Sequence, residues 1–187
     1  MEFQSTDQWD ERLWSKAEKV YHEAFPEHGR KTRAIVRRMF DRGLCTLNTW
    51  SEDDEVVAMA LTAFNARAGV LIIDYLAVRQ AWRHKGIGRL CIENIRDRAL
   101  AIMPDCRGIV IEVEAEETKE NADRIRFWEK VGFVLTEYIH SYIWVPETYR
   151  AMYLSFNSDT VGVEDGKWLF KAITAYHEQA YRNKGRG

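Results

Sequence analysis

Residues Leu71 to Val78 read Leu-Ile-Ile-Asp-Tyr-Leu-Ala-Val, an almost unbroken apolar run rich in branched and aromatic side chains. Such a run suits a strand covered on both faces, because a half-exposed strand would alternate with polar residues. It passes into Arg79-Gln80-Ala81-Trp82-Arg83-His84-Lys85-Gly86-Ile87-Gly88-Arg89. After this basic turn Ile87, Leu90, Cys91, Ile95, Ala99 and Ile102 recur at helical spacing, and Pro104 closes the helix. A strand feeding a glycine-containing basic turn at a helix start gathers free backbone N–H groups, the positive end of a helix dipole and cationic side chains at one point. That combination suits a phosphate group.

What is missing narrows the kind of phosphate site. A P-loop would need Lys-Ser or Lys-Thr after its second glycine, whereas Gly88 is followed by Arg89-Leu90. A dinucleotide-binding turn would need a third glycine where Cys91 stands. Arg83-His84-Lys85-Gly86-Ile87-Gly88 instead resembles the R/Q-x-x-G-x-G/A loop of the GNAT superfamily, the acetyl-CoA-dependent N-acetyltransferases. Asn121-Ala122-Asp123-Arg124-Ile125-Arg126-Phe127-Trp128-Glu129-Lys130-Val131-Gly132-Phe133 is similar to that family's N-x-x-A-x-x-x-Y-E-K-x-G-F signature. It departs in two places, Arg124 for alanine and Trp128 for tyrosine. The resemblance covers about Leu44 to Phe156.

The resemblance implies an α/β (α+β) fold: a GNAT-like mixed, mostly antiparallel central sheet with helices on both faces and a C-terminal helix. Residues 1–187 are expected to form a single domain, with a core of about 44–156 and a helical extension of about 157–187. It also implies transfer of the acetyl group of acetyl-CoA, as cosubstrate and without a metal, to a primary amine of a small molecule or peptide by direct attack in a ternary complex. By the family's pattern, backbone N–H groups from His84, Lys85, Gly86, Ile87, Gly88 and Arg89, with Arg83 beside them, would take the pyrophosphate. Backbone groups of Leu76, Ala77 and Val78 would pair with the pantetheine arm, and an N–H near Val78 would meet the thioester oxygen. Asn121 is a candidate for a coenzyme amide contact, with helix capping as the alternative. Trp128 is expected to line the thioester end without proton transfer, the alternative being plain packing of its helix on the sheet.

The rest of the chain fills in this outline. Asp7 can cap a first helix with Trp9, Leu13, Ala17, Val20, Tyr21 and Ala24 on one stripe. A second helix over Lys31 to Arg42 ends at Gly43 and carries Arg30, Lys31, Arg33, Arg37, Arg38 and Arg42, either a solvated face or a lid that attracts anions. Leu44 to Trp50 and Val56 to Asn65 form a hairpin, and Gly108 to Ala115 is a strand. A helix around Asn121 to Val131 follows, then strands over Phe133 to Trp144 and Tyr149 to Phe156. Residues Asn157 to Asp159 are turn-like, Trp168 to Ala180 mark a last helix, and the tail from Lys184 is expected to fray.

An alkyl amine, with a pKa of about 10.4, arrives as ammonium and needs a base. Glu112 and Asp74 are equal candidates, with Glu114 behind them; Tyr142 or Tyr138 could protonate the leaving thiolate in place of the family's tyrosine. Because Trp128 cannot ionise usefully as an acid, an acyl-CoA-binding regulator with weak or no catalysis is the alternative function, and a phosphate-binding structural module a more distant one. A net charge of −2 gives no pull toward nucleic acid or membrane. The three cysteines lack metal-ligand spacing and suit a reducing, cytoplasmic location. Whether the chain forms a homodimer is left open.

Overall fold

The computed structural model describes residues 1–157 and 165–182. The chain runs β1 (Glu2–Thr6), α1 (Glu11–Ala24), α2 (Arg33–Asp41), β2 (Thr46–Glu52), β3 (Glu55–Asn65), β4 (Val70–Val78), α3 (Ile87–Ile102) and β5 (Gly108–Glu114). It continues through α4 (Lys119–Lys130), β6 (Val134–Ser141), β7 (Thr148–Ser155) and α5 (Gly166–Tyr181). The strands make one seven-stranded sheet in the order β1-β2-β3-β4-β5-β7-β6. Every neighbouring pair is antiparallel except β4 and β5, which the crossover helix α3 makes parallel. This is the mixed, mostly antiparallel sheet that the resemblance implied.

Each face of the sheet buries its own apolar cluster. On one face Trp14, Tyr21, Val36, Met39, Leu169, Phe170 and Ile173, from α1, α2 and α5, pack over Leu61, Ile72 and Val110. On the other, Cys91, Ile92 and Ile95 of α3 pack over Leu71, Ile73, Ile109 and Ile111. Each such side chain contributes roughly 1.5–3 kcal/mol of burial. The cysteines Cys45, Cys91 and Cys106 are free and buried, and burial pushes their thiols up.

The chain start differs from the sequence reading. Residues Glu2–Thr6 are too short and mixed to announce a strand, yet they pair with β2, and Phe3 stacks on Trp50 at 5.1 Å. The first helix is therefore capped by Asp10, whose carboxylate accepts from the Leu13 N–H at 2.8 Å, and not by Asp7. Likewise α4 starts earlier than Asn121, with Thr118 as its cap. The strand expected to reach Trp144 stops at Ser141, leaving residues 142–147 as a loop. The expected turn at Ser158 and Asp159 and the expected fraying from Lys184 fall outside the described residues. Among the described residues no helix is long and apolar enough to cross a membrane.

Two irregularities in β4 position the site. Its ladder with β3 runs Thr62 to Ile73 and then Leu61 to Tyr75, so Asp74 is the extra residue of a β-bulge. A bulge resets which residues face which side, and Asp74 and Tyr75 therefore both reach the α1/α5 face. The ladder between β4 and β5 ends at Ile72 and Val110. Beyond that point each strand keeps only its outer partner, β3 or β7, and the sheet opens.

Candidate active site

The opening begins where the two acids stand, Asp74 and Glu112 each lying two positions past the last pair of β4 and β5. The Arg79 N–H bonds to the Val57 carbonyl of β3 at 2.9 Å, so by strand alternation the backbone of Val78 and of Leu76 faces the opening and that of Ala77 faces β3. Of these three positions, two thus present backbone groups to the opening and Ala77 does not. The basic turn lies just beyond. Arg83, His84, Lys85 and Gly86 are exposed, and the Arg83 Nε donates to the Val78 carbonyl at 3.1 Å.

The first bond within α3 is Leu90 N–H to Gly86 O at 3.1 Å, which leaves the N–H groups of Ile87, Gly88 and Arg89 in the unbonded first turn. Gly86 caps the helix at φ 80° with no side-chain hydrogen bond and open space around its missing side chain. The two glycines do different work. A Cβ on Gly88 would stand 2.9 Å from the Phe127 ring, so Gly88 lets α4 close against α3. Gly86 supplies the left-handed turn and leaves the helix start bare.

Beneath the opening lies a chain of polar side chains. Lys31 Nζ sits 2.8 and 2.9 Å from the two oxygens of Asp74, and the Tyr176 hydroxyl donates to Asp74 Oδ2 at 2.6 Å. The side chains of Lys31 and Asp74 are 2% and 3% exposed. The Tyr21 and Tyr75 hydroxyls accept from the Lys31 N–H at 2.9 and 3.2 Å, and Tyr75 donates to the Gly29 carbonyl at 3.1 Å, which fixes the segment ahead of α2. Lys31 Nζ also lies 3.5 Å from His177 Nδ1. His177 Nε2 is 2.8 Å from Glu112 Oε1, and the Tyr142 hydroxyl donates to Glu112 Oε2 at 2.8 Å. Burial, and then the charge of Glu112, pushes the Tyr142 phenol well above its ordinary range, so it remains a donor.

Of the residues chosen from sequence, Glu112, Tyr142 and Asp74 therefore meet in one network, while Glu114 stands apart, with Arg124 4.0 Å away. Lys31, read as part of a basic helical face, instead precedes the Thr32 cap and points inward. Asn121 is not the helix cap: its Nδ2 donates to the Glu116 carbonyl at 3.0 Å, which uses one of its two N–H groups, and its Oδ1 accepts from Arg124 at 3.1 Å. Trp128 packs edge-on against Phe127 at 5.1 Å and Phe133 at 5.0 Å.

His177 and Tyr176 were missed because their helix reads as a plain amphipathic segment. The signal present was a histidine beside a tyrosine on the inner face.

Removing the Lys31 charge while Asp74 stays buried should be costly. Lys31→Met is expected to destabilise the fold by about 3 kcal/mol, and Lys31→Met with Asp74→Leu to recover most of that, as measured by denaturant unfolding. Trp128→Phe is expected to keep kcat within about tenfold, since an indole N–H offers no useful acid, with steady-state kinetics as the check.

A model of the acetyltransferase (GNAT) family matches residues 6–133. Among curated proteins none matches the chain. Solved structures share the fold at low identity. A GNAT-family acetyltransferase from Bacteroides thetaiotaomicron superposes with a TM-score of 0.72 at 21% identity, covering 94% of this chain and 98% of that one. One from Desulfovibrio desulfuricans gives 0.62 at 20%, covering 82% and 98%. A streptothricin acetyltransferase from Bacillus anthracis, in complex with acetyl coenzyme A, gives 0.51 at 18%, covering 61% and 64%.

Proposed function

The chain belongs to the acetyltransferase (GNAT) family, and from that membership we propose that it transfers the acetyl group of acetyl-CoA to a primary amine of a small molecule or peptide in the cytoplasm, by direct attack in a ternary complex. The observation that carries this reading is Glu112, a part-exposed carboxylate at the mouth of the β4–β5 opening, held by one hydrogen bond on each oxygen. A carboxylate so fixed keeps lone pairs free to take a proton from an incoming ammonium.

The residues fit the coenzyme. Its diphosphate would lie on the first-turn N–H groups of α3 with Arg83, Lys85 and Arg89 beside it, and its arm would run along Leu76 and Val78. The coenzyme supplies an activated acetyl group with a thiolate leaving group. Glu112 takes one proton from the ammonium, the freed nitrogen forms the C–N bond as the C–S bond breaks, and the Val78 N–H would face the thioester oxygen. Glu112 passes that proton to water and then takes the second proton, which the new C–N bond leaves on the nitrogen, so that the products are a neutral amide and the thiolate. Asp74, with both oxygens taken by Lys31 and one of them also by Tyr176, serves as a buried counter-ion and leaves the base role to Glu112. Tyr142 orients Glu112; with its phenol raised, it is a poor acid for a thiolate whose thiol has a pKa near 8.5. The thiolate therefore departs as an anion.

The test is to incubate the protein with acetyl-CoA and a panel of amines and to look by mass spectrometry for an acetylated acceptor. Acetylation of at least one amine is expected. Tight acetyl-CoA binding with no acetylated product across the panel would favour the regulatory alternative.

A further inference from the structure

We propose that His177, which lies on α5 beyond the stretch matched by the family model, is a positioning residue that acts through Glu112: locked as the neutral Nε2–H tautomer, it donates to the carboxylate and keeps it ionised and aimed. This rests on the reading of Glu112 as the base. The tautomer follows from what surrounds the ring. Lys31 carries only donors, so at 3.5 Å it faces Nδ1 as a lone pair and opposes a proton there. The ring hydrogen is thereby left on Nε2, 2.8 Å from Glu112 Oε1.

Lys31 is itself held by Asp74, and its ammonium lies 5.0 Å from the Tyr75 ring centroid and 5.5 Å from those of Tyr176 and Tyr181. The buried ion pair is thus an anchor that sets the histidine, and the histidine sets the acid. The His177 side chain is 12% exposed and that of Glu112 24%, so one partner is fixed in the interior while the other reaches the opening.

Other groups face Glu112 from each neighbouring element. Tyr142 donates to it from the loop after β6, and His140 of β6 and Tyr149 of β7 feel its charge. Glu114 follows on its own strand, and Lys31 with Asp74 stands behind His177. Burial pushes the Tyr149 phenol up to about 12 and lowers His140. Near neutral pH both tyrosines are then uncharged and His140 is disfavoured as a cation. His177 is the imidazole in hydrogen-bond contact with the carboxylate.

The experiment compares wild type, His177→Phe and His177→Gln. Phe keeps the ring volume and loses the donor; Gln keeps an N–H donor. The acid limb of the kcat–pH profile should move up by about one pH unit in His177→Phe, with kcat at neutral pH about tenfold lower. Affinity for acetyl-CoA should not change, and His177→Gln should recover most of the rate. Side-chain 15N spectra of the wild type near pH 7.5, assigned by loss of the His177 signal in His177→Gln, should show a bare Nδ1 and a protonated Nε2. A wild-type pH profile in His177→Phe, or a proton on Nδ1, would overturn the proposal. The nitrogen spectra decide the tautomer even if no amine is acetylated, which separates failure of this inference from failure of the proposed function.

Discussion

Glu112→Gln is expected to lower kcat by roughly 10²- to 10⁴-fold while leaving acetyl-CoA affinity and folding intact, the range over which a positioned base contributes. Glutamine keeps the volume, so β5 and its partners need not move. Its amide can still accept from His177 Nε2, and Tyr142 can turn its hydroxyl to accept from the new NH2 group. What is lost is the capacity to take a proton. Steady-state kinetics separate the outcomes: a fall in kcat with the coenzyme KM unchanged is the signature of a group used in the chemical step. A variant that also loses coenzyme affinity would place Glu112 in binding. The remaining rate should rise with pH, because the free-base fraction of the amine then limits it.

Gly86→Val is expected to weaken acetyl-CoA binding by about 10²- to 10⁴-fold, the worth of two backbone hydrogen bonds to a charged group at about 1.5–3 kcal/mol each. The residue sits at φ 80°, where a β-branched side chain is strained, so relief of that strain would shift the turn that presents the first-turn N–H groups of α3. Nothing lies within 4 Å of the added Cβ, so the fold should survive with a loss of about 1–2 kcal/mol. Calorimetric titration with acetyl-CoA and a thermal melt together check this. Gly88 is the less clean target, because a Cβ there meets Phe127 and disturbs how α4 packs. Micromolar binding by a folded Gly86→Val protein would show that the diphosphate sits elsewhere.

The sheet was legible because its central strand is a dense apolar run and because the two motifs stand in order around the Gly108 strand. Glu112 was legible for a similar reason: a charge that alternates with Ile111 and Val113 must face water or a site. The bulge at Asp74 was not, since a bulge depends on the register of two strands and leaves no mark in one. Without it, alternation would keep Asp74 on the α1/α5 face with Ile72 but turn Tyr75 to the other face, so the hold of Tyr75 on the Lys31 segment could not be foreseen. Lys31 itself was hidden among arginines that share its charge; only the hydroxyls of Tyr21 and Tyr75, from elements 10 and 44 residues away, turn its segment inward. The same holds for His177, 65 residues from the carboxylate that it touches. Local pattern placed the elements and the coenzyme turn, whereas the polar network is made of long-range pairs.

The most direct test of this account is the rate of free-thiol release from acetyl-CoA, measured with and without an amine acceptor, for the wild type and Glu112→Gln side by side. The account predicts release that depends on the amine in the wild type and falls by roughly 10²-fold or more in the variant. Equal rates for the two proteins, or release that no amine accelerates while acetyl-CoA binds, would contradict it.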